Sequence, residues 1–506
     1  MKFNFKLKQK TQTRNYEGEI AYTISPELEL YTSVVTASLS NTFYEKQDDR
    51  LKRIITLIGK VDPEFVAKLA VYTREQMYLR SIPLVLVTEL SKVHRGNSLV
   101  KNTVNRVIQR ADEITELLAY YQLANSRSGE KRLNKLSKQI QKGVAEAFNK
   151  FDEYQFAKYN RQTEVTLKDA LFLTHPKASS EEQQELFNKI TTDSLAVPYT
   201  WEVELSRLGQ TQFVSEAARK EAVAEKWEEL ILSNKLGYMA LLRNLRNILQ
   251  AKVSPAAIEI VASRLGNPAE VRRSKQLPFR FLAAYRELES LKENYVSTMM
   301  NALEEAIKCS AENIAGFDLS TRVLLAADVS GSMFSPVGGK SKIRCYDIGL
   351  VLSMIMASRS QNVCTGIFGD RWKEVNMSGK SILSNVRYLD RIEGSVGYST
   401  NAYKVVDALI KENRVMDKVM FFTDLQLWDS RRGGNSLKDS WKLYKKKVSP
   451  NAKLYLFDLM GYGNSPLSVE RDDVYLMAGW SDKIFDVLTA IENGSNAVAE
   501  INKIEI

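Results

Sequence analysis

Apolar side chains recur at helical spacing between residues 50 and 315. Ile114, Leu117, Leu118 and Tyr121 stand at positions i, i+3, i+4 and i+7, so they share one face of a predicted helix. Short breaks such as 266–268, Gly-Asn-Pro, separate stripes of this kind, and strand-like alternation is almost absent. The segment predicts many stacked helices of the solenoid type, although no clean sequence repeat is visible.

The pattern of apolar and polar residues changes after about residue 316, where short β-rich runs alternate with amphipathic helices. This alternation predicts a doubly wound α/β domain with a mainly parallel sheet. We expect strands at 322–328, 363–368, 418–424, 453–460 and 474–478, and helices at 341–360, 401–413, 436–448 and 481–492. The chain is therefore predicted to contain two domains, at 1–315 and 316–506.

Composition supports a folded protein that stays out of membranes. A chain of 506 residues is too long to form one compact core. Of these residues, 44% are hydrophobic and 26% are charged. The first residues lack the apolar core of a signal peptide, and no apolar run is long enough to span a bilayer. Three widely spaced cysteines form neither a disulfide framework nor a thiolate zinc site. We expect a cytoplasmic protein.

The positive charge is concentrated near the start of the chain. The formal net charge is +10 overall and +9 for residues 1–150. Within the basic run 131–142, Lys131, Lys135, Lys138 and Lys142 fall near one face of a predicted helix. Such a ridge is suited to a phosphate backbone. An isolated run of this kind is also compatible with an ordinary solvated helix face.

Oxygen donors follow the predicted strands of the second domain. Asp328, Ser330 and Ser332 alternate directly after the first strand, at the edge where open α/β sheets bind ligands. Thr400 and Asp424 offer further donors at later strand ends. Hard oxygen ligands of low total charge suit Mg²⁺ or Mn²⁺. The alternative interpretation is that Asp328 and the serines only cap the following helix.

These donors resemble the metal-ion-dependent adhesion site (MIDAS) of von Willebrand factor A domains. The resemblance implies a site for a divalent cation, Mg²⁺ before Mn²⁺ or Ca²⁺, with one coordination position left for a carboxylate of a partner and no bond-breaking chemistry. Tyr398 and Ser399 stand where the family often has paired glycines, which would narrow access to the ion. The implied ligands are Asp328, Ser330, Ser332, Thr400 and Asp424.

The helical half resembles the TROVE module of the Ro autoantigen family, whose bacterial members are called Ro-sixty-related proteins. The segments that carry the resemblance are 151–161, 167–171, 174–177, 239–245 and 276–281. In that family the module precedes a von Willebrand factor A domain, the order found here. The resemblance implies an all-α ring of HEAT-like helical repeats closed by the A domain. It also implies binding of small structured Y RNAs and of single-stranded 3′ ends of misfolded RNAs.

Two RNA-contacting positions of the family fall on Lys158 and His175. A further basic position falls on Gln162, and the adjacent Arg161 is the candidate to replace it. For His175 the alternative is a buried side chain that bonds to backbone. The residues expected to contact RNA are Lys138, Lys142, Lys158, Arg161, His175 and Lys177.

The sequence thus favours a non-enzymatic, monomeric RNA-binding protein that acts in RNA quality control. The resemblance implies that it binds a Y-like RNA and hands defective RNAs to an exoribonuclease such as polynucleotide phosphorylase. The alternative is a metal-dependent scaffold that docks an acidic partner through the A domain. A nuclease is disfavoured, because phosphodiester hydrolysis usually gathers several carboxylates around two metals.

Overall fold

The computed structural model describes residues 12–37, 45–125, 136–338, 341–377, 381–428, 436–469 and 473–506. Contacts divide the chain into two compact units. The sheet unit comprises Met1–Ile54, Gly266–Ser290 and Met300–Glu500. The helical unit comprises Ile55–Leu265, Leu291–Met299 and Ile501–Ile506.

The helices are numbered in chain order. Those up to residue 265 are α1 (Pro26–Val35), α2 (Gln47–Ile58), α3 (Pro63–Glu75), α4 (Ser81–Val93), α5 (Leu99–Val107), α6 (Ala111–Ala124), α7 (Lys138–Ala147), α8 (Glu153–Tyr159), α9 (Leu167–Thr174), α10 (Glu181–Thr191), α11 (Trp201–Gly209), α12 (Glu216–Leu232), α13 (Tyr238–Gln250) and α14 (Pro255–Leu265). The later helices are α15 (Pro268–Ser274), α16 (Phe279–Glu289), α17 (Val296–Ala311), α18 (Cys345–Arg359), α19 (Leu383–Ile392), α20 (Tyr403–Lys411), α21 (Leu437–Lys447), α22 (Ile484–Glu492) and α23 (Ala497–Asn502). Short 3₁₀ turns occupy Phe148–Lys150, Gly331–Phe334 and Glu393–Val396.

The strands fall into two sheets. They are β1 (Gln12–Arg14), β2 (Ile20–Thr23), β3 (Arg322–Asp328), β4 (Asn362–Phe368), β5 (Trp372–Glu374), β6 (Lys418–Thr423), β7 (Lys453–Asp458), β8 (Asn464–Ser465) and β9 (Val474–Ala478). The large sheet has the order β5-β4-β3-β6-β7-β9, and the small one has the order β1-β2-β8.

Helices of the helical unit stack in two rows. One row runs through α3, α5, α7 and α9, and the other includes α4, α6 and α8. The predicted stripe is the reason for this packing: Ile114, Leu117 and Leu118 are fully buried. Asp62 accepts a hydrogen bond from the Glu64 amide and starts α3 ahead of a proline at its first position. The all-helical character predicted here is confirmed in the described residues.

The large sheet confirms the predicted doubly wound α/β arrangement. Strands β3, β4, β6, β7 and β9 are parallel, and only the edge strand β5 is antiparallel. Leu324 and Phe421 pack into a core with Trp441 of α21. On the opposite face, a Cβ atom on Gly349 of α18 would lie 3.4 Å from Cβ of Phe422. Helices therefore cover both faces of the large sheet. Because both faces are buried, the strands appear in the sequence as continuous apolar runs. Helices α18, α20 and α22 begin two to four residues later than predicted, and α19 and β5 were not predicted.

The first described residues belong to the sheet unit. Strand β2 pairs antiparallel with β8, so Tyr22 lies opposite Ser465. In α1, the Tyr31 hydroxyl donates a 2.9 Å hydrogen bond to the Ala478 carbonyl at the end of β9. Contacts therefore group residues 12–54 with the C-terminal sheet, across the chain-order division at residue 316.

Neither a transmembrane helix nor a disulfide occurs in the described residues. None of the helices that the structure describes has the length and apolar character to cross a bilayer. Cys309, Cys345 and Cys364 are all buried free thiols.

Candidate functional site

The candidate metal centre begins where β3 ends. Asp328 is fully buried, and its Oδ1 accepts a 2.8 Å hydrogen bond from the Ser330 amide. The chain then enters the 3₁₀ turn 331–334, which leaves the Ser330 and Ser332 hydroxyl oxygens 3.4 Å apart. Three of the five predicted ligands are thus held together in one tight turn.

The capping alternative does not fit this turn. Ser330 precedes the 3₁₀ turn, but its side chain makes no capping hydrogen bond. The next α-helix begins only at Cys345. At the start of that helix, Oδ2 of Asp347 accepts a 2.8 Å hydrogen bond from the amide of Arg344, the residue just before it. The serine hydroxyls instead interact with the two aspartates: Ser330 lowers the pKa of Asp328 and Ser332 lowers that of Asp424, each against the larger raising effect of burial.

The second carboxylate of the site, Asp424, directly follows strand β6. Asp424 is fully buried, and its Oδ1 accepts a 3.0 Å hydrogen bond from the Gln426 amide. Its Oδ2 is buried without a hydrogen-bond partner among the described residues. A buried carboxylate oxygen without a donor is costly unless a cation compensates it. The donor set, with two carboxylates and hydroxyl oxygens, fits a hard divalent cation.

Thr400 reaches the same edge of the sheet on a third loop. It is 5% exposed, and its carbonyl accepts a 3.0 Å hydrogen bond from the Trp428 amide beyond β6. Two residues earlier, the Tyr398 carbonyl accepts from the Gly331 amide at 2.9 Å. These backbone bonds attach the Thr400 segment to both other loops. The Tyr398 ring packs edge-on against Phe334 at 5.5 Å and remains half exposed.

Burial dominates the electrostatics of the two carboxylates. It raises the pKa of Asp328 above the ordinary aspartate value, and the charge of Asp424 raises it further. Burial also raises the pKa of Asp424. A divalent cation placed between them would reverse both effects by favouring the ionised forms.

The site contains two anionic donors, Asp328 and Asp424. The described ranges contain no group of three or more His, Cys, Asp or Glu side chains arranged to bind a metal. On the next strand, Asp458 is also buried, but its Oδ1 is occupied by the amides of Met460 and Gly461. The hydroxyl groups therefore have to supply much of any coordination sphere.

Sequence reasoning missed two supporting residues. The Thr423 hydroxyl donates a 2.6 Å hydrogen bond to Oδ2 of Asp328. The fully buried Gln426 accepts a 2.8 Å hydrogen bond from the Tyr16 amide, 410 residues earlier. The Thr-Asp pair at the end of β6 was a usable signal for Thr423. Nothing in the sequence pattern pointed to Gln426.

The predicted RNA-contacting residues lie in the helical unit, on or next to α7, α8 and α9. All six side chains are exposed: Lys138, Lys142, Lys158, Arg161, His175 and Lys177. Helix α7 begins at Lys138. Lys131 and Lys135 of the predicted ridge lie outside the described residues. The buried face of α7 includes Ile140 and Val144.

His175 is exposed, so the alternative of a buried histidine is wrong. It ends α9 in a left-handed conformation with φ 47°, and its amide bonds to the Leu171 carbonyl. The Gln141 amide group of α7 donates to the Leu173 carbonyl at 2.8 Å. The Asn149 amide group donates to the Lys177 carbonyl at 3.0 Å. The loop that carries His175 therefore runs alongside α7.

Lys158 belongs to a group of cations and aromatic rings. Its Nζ lies 5.7 Å from the ring centres of both Tyr154 and Tyr159. The guanidinium of Arg110 lies 4.5 Å from the centre of the Tyr159 ring. Tyr154 is 43% exposed. Exposed aromatic rings beside cations suit contacts with unpaired bases and phosphates.

Comparison with known families identifies both parts of the chain. The TROVE domain model matches residues 22–203 and 193–321, and the Ro60 vWA domain model matches residues 322–491. The RNA-binding protein RO60 of Deinococcus radiodurans is 23% identical over 528 aligned positions, which cover 96% of each chain. The crystal structure of the Deinococcus radiodurans RO (RSR) protein matches with a TM-score of 0.59 at 19% identity, over 93% of this chain and all of that one.

Telomerase protein component 1 is also similar. The mouse protein (Mus musculus) is 24% identical over 347 residues, and the rat protein (Rattus norvegicus) is 25% identical over 319 residues. These alignments cover 52% and 48% of this chain but only 13% and 12% of the telomerase proteins. The chain thus spans a small part of these longer relatives.

Proposed function

Because the chain belongs to the TROVE-domain family and carries a Ro60 vWA domain after that module, we propose that it binds RNA through the helical unit. One observation carries the proposal. None of the six predicted basic side chains forms an ion pair with a carboxylate within the described part of the chain. Neighbouring lysines are paired: Lys101 with Glu146, and Lys168 with Asp193.

Unpaired cations are what a phosphate backbone needs. Each phosphate that a lysine or arginine neutralises releases condensed counterions, which gives affinity that falls steeply with salt. A lysine already bonded to a carboxylate must break that pair first. The unpaired state of Lys138, Lys142 and Lys158 therefore supports their assignment as RNA contacts.

The basic residues form two groups with different chemistry. Lys138 and Lys142 lie one turn apart on α7, and His175 and Lys177 lie on the loop that runs beside it. Gln141 of α7 and Asn149 of the following 3₁₀ turn, which hold this loop, are separated by about 12 Å along the axis of α7. This group is suited to successive phosphates. The group around Lys158 adds the exposed ring of Tyr154, which suits an unpaired base.

We propose that the RNAs bound are small structured Y-like RNAs and single-stranded 3′ ends of misfolded noncoding RNAs. A protein of this kind acts without catalysis, in the cytoplasm, and delivers defective RNAs to an exoribonuclease such as polynucleotide phosphorylase. The full-length similarity to the Deinococcus RNA-binding protein RO60 supports RNA as the ligand.

The test is the salt dependence of RNA affinity. Its probe is a hairpin RNA with a single-stranded 3′ tail, and its variant is the triple substitution Lys138→Ala, Lys142→Ala and Lys158→Ala. Loss of three phosphate contacts should flatten the slope of log K against log salt by roughly 2 to 3 and weaken binding at least about tenfold. Fluorescence anisotropy at several salt concentrations measures both.

A matched control removes the same charge from paired lysines. The triple substitution Lys101→Ala, Lys168→Ala and Lys189→Ala deletes three lysines of the same unit that are bonded to carboxylates. It should change the slope much less. If both triple variants behave alike, or if the first binds like the wild type at every salt concentration, the assigned RNA surface is wrong.

The buried, unpartnered Oδ2 of Asp424 favours a second function. We propose that Asp328, Ser330, Ser332, Thr400 and Asp424 hold a divalent cation, Mg²⁺ before Mn²⁺ or Ca²⁺. The bound ion would offer a positive charge to a carboxylate of an acidic protein partner. The residues around it exclude water from the two aspartates and fix their orientation.

Calorimetric titration with Mg²⁺ and Mn²⁺ tests the metal site. Asp424→Asn keeps the acceptor for the Gln426 amide but removes one negative charge, and it should weaken binding at least about tenfold. Asp458→Asn is the control, because it removes a buried carboxylate on the next strand that is outside the proposed ligand set. Equal binding by wild type and Asp424→Asn would refute the assignment. Copurification separates the two functions, since ribonuclease should release RNA and EDTA should release an acidic protein.

A further inference from the structure

A turn near the start of the chain contacts the loop that carries Asp424. This N-terminal turn, residues 15–19, is closed by hydrogen bonds between Asn15 and Glu19 and by the Gly18 amide, which donates to the Asn15 carbonyl at 3.0 Å. Gly18 has φ 80°, a conformation that favours glycine. The turn is therefore a defined structure that can dock as one piece.

Two hydrogen bonds attach the turn to residues 424–428, which we call the metal-site loop. The Asn15 amide group donates to the Leu427 carbonyl at 2.8 Å. The Tyr16 backbone amide donates to Oε1 of Gln426, also at 2.8 Å. Asn15 is 8% exposed and Gln426 is fully buried, so the Asn15–Leu427 bond is buried and the Tyr16–Gln426 bond is partly buried. Bonds of this kind are costly to lose, because buried partners are left unsatisfied.

Gln426, which accepts from the N-terminal turn, is also hydrogen-bonded to Asp424. Its backbone amide donates to Oδ1 of Asp424 at 3.0 Å, and its side-chain amide donates to the Asp424 carbonyl at 3.4 Å. Between them, Leu425 adopts φ 62°, which is unfavourable for a branched side chain. Such a conformation persists only where surrounding contacts hold it. The N-terminal turn supplies two of those contacts.

We propose that the N-terminal turn is part of the metal centre, with Asn15 and Gln426 as positioning residues, so that docking of the turn and binding of a divalent cation stabilise one another. This inference rests on the proposed metal site. It goes beyond that site in assigning a role to residues more than 400 positions away from Asp424. Because coupling between two binding events is reciprocal, the ion should strengthen docking by the same factor by which docking strengthens metal binding.

The rest of the N-terminal segment has attachments beyond these two bonds, although Asn464 of β8 also accepts a 3.4 Å hydrogen bond from the Gln426 side-chain amide. Strand β2 pairs with β8, and Tyr31 bonds to Ala478. Asn15→Ala should therefore loosen the turn without releasing the segment. Ser25→Ala is a matched control, because Ser25 caps α1 of the same segment by accepting from the Leu28 amide.

The first experiment is calorimetric titration of the full chain with Mn²⁺. Asn15→Ala should bind about tenfold more weakly than the wild type, as is usual when a residue that orients a metal ligand is lost. Ser25→Ala should stay within about twofold of the wild type. Equal Mn²⁺ affinity for Asn15→Ala and wild type would contradict the proposal.

The second experiment needs no variant. Hydrogen exchange of the Tyr16 amide, which donates to Gln426, is measured in the wild type with Mg²⁺ and with EDTA. Saturating Mg²⁺ should slow this exchange about tenfold, by reciprocity, and leave the Leu28 amide unchanged. Identical exchange of Tyr16 in both buffers would overturn the inference.

The outcomes also separate this inference from the metal site beneath it. If the wild type binds neither Mg²⁺ nor Mn²⁺, both proposals fall. If the wild type binds the ion and Asp424→Asn does not, but Asn15→Ala and Tyr16 exchange show no effect, the metal site stands and only the coupling is wrong.

Discussion

The Thr423 hydroxyl donates a 2.6 Å hydrogen bond to Oδ2 of Asp328 and so joins the ends of the adjacent parallel strands β6 and β3. Both residues are fully buried. The bond satisfies one oxygen of a carboxylate that has lost its hydration. It also fixes the direction in which Asp328 faces the serine turn.

Thr423→Val should destabilise the metal-free protein by about 1 to 3 kcal/mol, because it leaves a buried carboxylate oxygen without a donor. Urea denaturation in EDTA at pH 8 measures the change. Thr423→Ser keeps the hydroxyl and should lose less. A valine variant as stable as the wild type would show that the bond contributes little.

Asp458 should make the metal-free protein less stable as the pH rises. Burial raises its pKa to about 7, against 3.8 for an ordinary aspartate, so the folded state binds the proton more tightly than the unfolded state. Its contribution to stability is therefore full below pH 4 and is lost as the pH rises toward 7, by up to about 4 kcal/mol. Asp458→Asn should flatten this part of the pH profile, as measured by urea denaturation from pH 4 to pH 8. An unchanged profile would contradict the assignment.

The buried pair of Arg74 and Glu113 should matter far more than an exposed pair in the same unit. Arg74 bonds to both carboxylate oxygens of Glu113, at 2.8 and 3.1 Å, and the Glu113 side chain is 1% exposed. Arg74→Ala leaves that charge buried and unpaired, with an expected loss of about 3 to 5 kcal/mol. Lys101→Ala breaks the exposed pair with Glu146 and should cost below about 1 kcal/mol. Chemical denaturation of the two variants provides the comparison, and similar losses would refute it.

Gly143 sets the distance between α7 and α5. A Cβ atom at this position would lie 2.7 Å from the Lys101 carbonyl oxygen and 2.7 Å from Cβ of Val104. Gly143→Ala should therefore push α7 away from α5, cost about 1 to 3 kcal/mol and weaken RNA binding through the displaced Lys142. Gly209→Ala is the control, because no atom lies within 4 Å of the added carbon. Thermal unfolding should show a loss only for Gly143→Ala; equal midpoints would contradict the packing argument.

The candidate metal site could be predicted in outline because its signal is local. Asp328, Ser330 and Ser332 lie within five residues, and Asp424 follows a recognisable apolar strand. The unsatisfied Oδ2 of Asp424 could not be predicted, because it depends on which donors the folded chain fails to bring near it. The ion pairing of the basic residues could not be predicted either. Lys101 and Lys142 both lie in predicted helices, and only the folded structure shows that Lys101 is paired with Glu146.

By itself, the sequence determined the type and order of most helices and strands, since periodicity reflects which face of each element is buried. It also determined the family, through short motifs that are each contiguous in the chain. Only the tertiary structure decided that β1 and β2 pair with β8 in a small separate sheet and that Asn15 and Tyr16 reach the loop of Asp424. The pairing strand β8 has two residues, too few to show a pattern, and contacts between residues 400 positions apart arise from packing that no local spacing encodes.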